Sequence, residues 1–426
     1  MRLTEDLLHF IWRYKLFNPL NLTTTNGEGL QIVSYGQYNT DAGPDFEYAK
    51  ISIHNVLWSG HVEMHIKTSD WFAHQHQVDP AYNSTILHVV WINDIPDVLR
   101  EDGTRVPTLN LQQFIYNEPL EKYQKLAASM HTVPCQQQIS TVNPLIINNW
   151  LDRMLFERLQ FKYEVYTKWV KDTNGDWERI FLFSLGRAMG MRVNSEGFEA
   201  LISRLPMSLI RKYSGETLKI EALIFGLAGF LDEELIDEYY VKLKSEFAYL
   251  QHIHGLNPLH VVNWKFLRMR PSNFPTVRLA QLAALLTNSN SWFGIVLESA
   301  DLDKLHQVIK NAGINSYWSS HYRFGVVTTE HRVGWSKSFL DHISINAIIP
   351  TLYAYGTYIN HQLYKDRAVN WMHHIPIENN VFVRKFMGLG LVLKNANESQ
   401  ALLHLYRQYC LPRKCLHCAI GLQILK

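Results

Sequence analysis

Apolar positions recur first at helical and then at strand spacing along this chain. Leu7, Leu8, Ile11 and Trp12 form one stripe, Thr4 stands where an N-cap belongs, and Glu5 and Asp6 suit a first turn. A short helix over Thr4–Phe17 is predicted, stopped by Asn18-Pro19. Period-two alternation then predicts strands at Leu30–Tyr35, Phe46–Ile53 and Gly60–Lys67. Ser69–Tyr82 reads as a short helix or ordered loop. The unbroken apolar run Ile86–Trp91 has the pattern of a strand buried on both faces. Val106–Phe114 is a further candidate strand. Helix, three strands, helix, strand is the content of one domain, placed at residues 1–120.

Beyond Glu118 the period becomes helical. Asn143-Pro144 opens a long pattern through Lys171, with Leu151, Leu155, Leu159 and Tyr163 on one stripe. The Asp172-Thr173-Asn174-Gly175-Asp176 connector places Gly at the fourth position, whereas a calcium loop needs it at the sixth. Further helices are expected at Trp177–Met189, Ser195–Ser203, Thr217–Phe230, Glu233–Gln251, Arg278–Leu286 and Ser399–Tyr409. The predicted fold class is α+β: an N-terminal mixed sheet with flanking helices, then a large all-α domain over 121–426.

The candidate chemistry sits in Gly60–Lys67, GHVEMHIK. As a strand it puts His61, Glu63, His65 and Lys67 on one face and Val62, Met64 and Ile66 on the other. Just upstream, Gly43-Pro44-Asp45 forms a turn ending in a second carboxylate. Asp45 and Glu63 are the pair expected to hold Mg²⁺ or Mn²⁺ through oxygen ligands, with His65 or Lys67 activating a water. Glu5 is a further acidic candidate, and His61, His76 and Asp79 are supporting ones. His74 and His76 would share a face on a strand and could bind zinc there, whereas on a helix they would point apart. The bland reading is that Asp45 caps its turn and Glu63 pairs with Lys67. His88, in an apolar strand, reads as a hydrogen-bonded core residue.

Composition narrows the setting. The chain has 426 residues, 47% hydrophobic and 19% charged, with a formal net charge of +2. No overall field draws in nucleic acid or an anionic membrane, so an anionic partner must meet a local patch. No run approaches the roughly 18 apolar residues of a membrane helix, and acids occupy the start where a signal peptide carries basic residues. A cytoplasmic protein without a membrane partner is expected. Three of the four cysteines, Cys410, Cys415 and Cys418, follow the spacing C-x4-C-x2-C, and the fourth is Cys135. Four thiols make a full ligand set for Zn²⁺ or an iron–sulfur cluster, or else they are small buried apolar residues. Arg268, Arg270 and Arg278 flank Pro271-Ser272-Asn273-Phe274-Pro275, a basic loop with an aromatic that could meet nucleic acid or simply cap helices.

GPDFEYAKISI, WSGHVEMHIKTSDWFAHQHQVDPAY, ILHVVWIND, EALIFGLAG, RMRPSNFPTVRLAQLA and YCLPRKCLHCAIG together resemble an uncharacterised bacterial family, a domain of unknown function. That resemblance implies no activity. The N-terminal order is also similar to the PD-(D/E)XK superfamily, with its restriction-endonuclease-like fold. Pro44-Asp45 matches the PD element, and Glu63-Met64-His65 stands where Glu-x-Lys is expected, with His65 replacing the lysine. The resemblance implies a metal-dependent nuclease. The alternatives are a non-catalytic nucleic-acid or protein-binding scaffold of the same fold, and a zinc-stapled structural protein.

Overall fold

The computed structural model describes residues 4–259, 264–289 and 291–426; Met1-Arg2-Leu3, on which the signal-peptide expectation partly rests, lie outside them. The chain divides into two compact units, Met1–Trp150 with Leu405–Lys426, and Leu151–His404. It is α+β, with a mixed sheet in the first unit and helices through the second, which is not all-α as expected, since His321–Arg323 pairs with Val326–Val327 in a short hairpin.

Helix α1, Glu5–Arg13, buries Leu7, Leu8, Phe10, Ile11 and Trp12, and Trp12 Nε1 donates to the Tyr35 carbonyl at 3.0 Å. Strands β1 (Leu22–Thr23), β2 (Gly29–Ser34), β3 (Gln37–Tyr38), β4 (Phe46–Ile53) and β5 (Val56–Lys67) follow. After the short helix α2, Asp70–Ala73, come β6 (Thr85–Ile92), the small β7–β8 hairpin (Val98–Leu99 and Arg105–Val106) and β9 (Thr108–Asn110). The order across the sheet is β1-β2-β4-β5-β6-β9, with β3 added to β4.

The sheet changes character at β5. Strands β2, β4 and β5 run antiparallel, and β4 turns into β5 through His54 and Asn55, both at positive φ (50° and 63°). Two such residues in a two-residue loop match the twist of the strands they join. β6 then lies parallel to β5, and β9 parallel to β6. A parallel neighbour requires a crossover, and α2 with the turns His76–Val78 and Pro80–Tyr82 supplies it. This crossover is what lays residues 68–84 over the acidic face of β5.

The expected strand over Gly60–Lys67 is the last two thirds of the longer β5. The expected strand over Val106–Phe114 is interrupted at Pro107, which cannot donate to a ladder, and closes in a 3₁₀ turn, Leu111–Phe114. Helix α3 is Asn117–Ala127 and the long α4 is Pro144–Asp172. The second unit contains Trp177–Met189, Ser195–Arg204, Thr217–Leu227, Glu238–His254 and Pro275–Asn288 near their expected places. Near the C-terminus a helix over Ala396–Leu405 passes into a wider turn, Tyr406–Cys410.

Candidate metal centre

Both faces of β5 are covered at its centre, so Val62 and Met64 pack into the core while Glu63 and His65 are buried beneath the crossover. Glu63 is 5% exposed and His65 1%. Asp45 ends the turn before β4 and faces β5. Its backbone N–H donates to Glu63 Oε2 at 3.2 Å, and Asp45 Oδ2 accepts the Met64 N–H at 2.9 Å. Two carboxylates are thereby fixed side by side on neighbouring strands.

Imidazoles surround them. His76 Nε2 lies 3.4 Å and His65 Nε2 3.6 Å from Glu63 Oε1. His65 Nε2 is also 3.0 Å from His74 Nδ1, and on its other side His65 Nδ1 meets His88 Nε2 at 2.9 Å. His65, His74 and His76 each offer a ring nitrogen, all within 4.8 Å of one another. From α1, His9 Nε2 stands 3.1 Å from Asp45 Oδ2, and Glu5, one turn earlier, senses the charges of His74, Asp45 and His9. Tyr82 stacks on His76 at 3.7 Å, and Trp71 closes the floor against His76 and His88. His74 is exposed and opens the cluster to solvent.

The electrostatics follow from burial. Glu63 is pushed up to about 9, first by desolvation and then by the neighbouring Asp45 charge. Burial and the neighbouring imidazoles lower His65 to about 2; His88 falls to about 3 for the same reasons. His9 moves the other way: contact with Asp45, with Glu5 and Asp6 nearby, outweighs its burial and raises it. Neither ring nitrogen of the buried His76 has a hydrogen-bond partner.

The donor set fits a metal ion. A tetrahedral zinc with bonds near 2.0–2.1 Å separates its ligand atoms by about 3.3 Å. The His65–His74, His76–Glu63 and His65–Glu63 separations, 3.0, 3.4 and 3.6 Å, are of that size, and the three imidazoles each keep a nitrogen within 4.8 Å of the others. Imidazole and carboxylate together suit Zn²⁺ or Mn²⁺ better than Mg²⁺, which prefers oxygen alone. A cation here would also relieve the Asp45–Glu63 repulsion.

Asp45, Glu63, His65 and His76 thus meet in one place, with Glu5 within electrostatic reach of Asp45 and His74. Lys67 does not join them; it is exposed at the end of β5, near Asp94, and its backbone N–H donates to Asp70. His61 sits beside Tyr48, in register with Thr85. Asp79 caps the Pro80–Tyr82 turn through the Ala81 N–H, and its charge only partly offsets the burial that lowers His76. His9 escaped the sequence reading, although its i, i+4 spacing from Glu5 was available.

The four cysteines also gather within the first unit. All are buried, and each thiol is near enough to shift or be shifted by the other three. Cys418 Sγ accepts backbone N–H groups of Gly421 and Ile420. Burial pushes Cys135 up to about 12 and Cys415 up to about 11. A metal ion or cluster would hold four such thiols as thiolates, although among the described residues only His65, His74 and His76 bring their donor atoms all within 4.8 Å of one another. In the helical unit, Arg268 is exposed, whereas Arg270 and Arg278 line one cavity.

Residues 5–381 match the family described as "Protein of unknown function (DUF2851)". No curated protein and no solved structure matches the chain.

Proposed function

We propose that this chain, which belongs to the DUF2851 family, is a metal-dependent hydrolase of phosphodiester bonds in nucleic acid. The observation that carries the reading is the buried Glu63 carboxylate, 3.4 and 3.6 Å from two imidazole nitrogens with a third nitrogen alongside. The restriction-endonuclease-like order of α1, the Pro-Asp turn, the Glu-x-His strand and a following parallel strand supports the same reading.

Glu63, His65, His74 and His76 would hold the ion, a divalent transition metal such as Mn²⁺ or Zn²⁺ that can expand beyond four ligands and so leave a fifth position for water. When bound, it lowers the pKa of a water ligand and draws charge from a phosphate oxygen. The protein's own groups do the rest. His88 fixes the ring plane of His65 through Nδ1, so that Nε2 faces the metal position. Asp45, held by the Met64 amide, orients the attacking water and accepts its proton. His9, whose contact with Asp45 favours its protonated form over the cost of burial, stands where an imidazolium could meet a phosphate oxygen or protonate the leaving group. The covering of Trp71 and Tyr82 keeps bulk water off one side, and the exposed His74 marks the side of substrate entry.

Four thiolates in place of four buried thiols give the second metal reading, a structural Zn²⁺ or an iron–sulfur cluster clipping residues 410–418 to Cys135.

The test is hydrolysis of single- and double-stranded DNA and RNA by full-length protein, first stripped by chelator and then supplied with Mn²⁺ or Zn²⁺. Metal-restored cleavage is expected. Absence of cleavage with every substrate and metal overturns the reading.

A further inference from the structure

The helical unit holds a cavity of about 380 Å³ whose walls include Arg270, Arg278, Arg332, His331 and His342 but no Asp or Glu. Its deepest cation is Arg278, on the helix Pro275–Asn288, only 5% exposed. Nη1 donates to Gln281 Oε1 at 2.6 Å and Nη2 to Asn273 Oδ1 at 2.5 Å, both neutral acceptors. Gln281 is itself fixed by its bond to the Gly334 carbonyl at 3.0 Å. The guanidinium carbon lies 3.2 Å from the centre of the Phe339 ring, and Nε is buried without a partner.

A buried guanidinium ordinarily faces a carboxylate, because removing an isolated charge from water costs several kcal/mol. Among the described residues no ion pair involves Arg278, Arg270 or Arg332, and burial alone moves Arg278, down to about 9. The charge therefore lacks its counter-ion while a donor on Nε remains unspent. Arg270 and Arg332 are exposed, and Tyr322 and His331 stack at 3.9 Å in the same wall. Three forked donors around one cavity match the oxygens of a phosphate, and a flat aromatic pair suits a base carried beside it.

We propose that this cavity binds a phosphate group, with Arg278 as its inner anchor and Arg270 and Arg332 as arms at the exposed side. The group is carried either on a nucleoside monophosphate or on the 5′ end of a nucleic acid. The inference is independent of the metal centre and stands if that reading fails.

Calorimetric titration of chelator-treated, full-length protein tests it, with inorganic phosphate, a nucleoside 5′-monophosphate, and one oligonucleotide with and without a 5′-phosphate as probes. Saturable one-to-one binding is expected for the phosphate-bearing probes. Arg270→Ala and Arg332→Ala should each weaken it about tenfold without lowering Tm, since both side chains are exposed. Arg278→Gln should abolish it, and because that variant alters a buried network, the two exposed variants carry the test. Tighter binding of the monophosphate identifies a small-molecule source; binding of the oligonucleotide only when phosphorylated identifies a nucleic-acid end. No saturable binding of any probe, or undiminished affinity in the Arg270→Ala/Arg332→Ala double variant, overturns the proposal.

Discussion

Asp45 and Glu63 hold one another through the backbone: the Asp45 amide donates to Glu63 Oε2 at 3.2 Å, and Asp45 Oδ2 accepts the amide of Met64, next to Glu63, at 2.9 Å. Each acid is thus positioned by the other's strand, and the position of both depends on the register of β4 against β5. Such mutual fixing keeps two acids close, so that without a cation Glu63 holds its proton up to about pH 9, whereas a cation lets both ionise.

That cost gives a pH signature. Glu63 is raised in the folded protein from 4.5 to about 9, so its contribution to metal-free stability is complete below pH 4.5 and is lost as pH climbs through 9. His65 and His88, lowered from 6.5 to about 2 and about 3, act oppositely: their contribution is complete above pH 6.5 and is lost as pH falls. Thermal unfolding followed across pH should therefore show an alkaline decline that Glu63→Gln removes and an acid decline that it leaves in place. An unchanged alkaline limb in Glu63→Gln would separate that decline from this carboxyl.

Metal affinity should follow the imidazoles. His74 is exposed, so His74→Ala is expected to leave Tm within about 1 °C, a surface change of under about 0.5 kcal/mol. The same variant should weaken Zn²⁺ or Mn²⁺ binding about a hundredfold, and His76→Ala at least as much, read by competition with a chromophoric chelator. Binding should release a proton near neutral pH, because Glu63 must ionise.

Much of this centre could be read in the sequence where the signal is local. Period two placed Glu63 and His65 on one face, and the Gly-Pro turn singled out Asp45. Lys67 shares their face yet lies outside, because the strand ends there and the chain turns into α2 through the Asp70 carboxylate. His88 and His74 reach His65 only through the parallel β5–β6 pairing and the crossover over it, contacts that no spacing encodes. The β4–β5 turn went unseen for a different reason: His54 adopts a positive φ in a role normally filled by Asn or Gly.

Gly60 couples this register to stability. A Cβ there would meet the Ser84 carbonyl oxygen and lie 2.5 Å from Ile86 Cγ2, at the start of β6. Gly60→Ala should cost about 2 kcal/mol by forcing β5 from β6. It should also lower metal affinity, since Glu63 and His65 ride on the same strand. Chemical unfolding together with the chelator competition checks both effects.

For the cysteines, stability alone would mislead, since a buried serine hydroxyl costs about 1–3 kcal/mol with or without a metal. Elemental analysis decides. Cys415→Ser and Cys135→Ser should each lose one and the same equivalent of zinc, or the same cluster iron, that the wild type carries, while His74→Ala, which loosens only the histidine centre, keeps it. A wild type with neither element bound at these thiols ends the proposal of a staple.

The most direct measurement is cleavage of DNA and RNA with added Mn²⁺ or Zn²⁺ by wild type and by Asp45→Asn. Asn keeps the side-chain shape and an acceptor for the Met64 amide, but it cannot take a proton from water. The account predicts metal-dependent cleavage by the wild type and a loss of about a hundredfold or more in kcat for the variant, with metal still bound through Glu63 and the three histidines. Equal cleavage by both proteins, or none by the metal-loaded wild type, contradicts it.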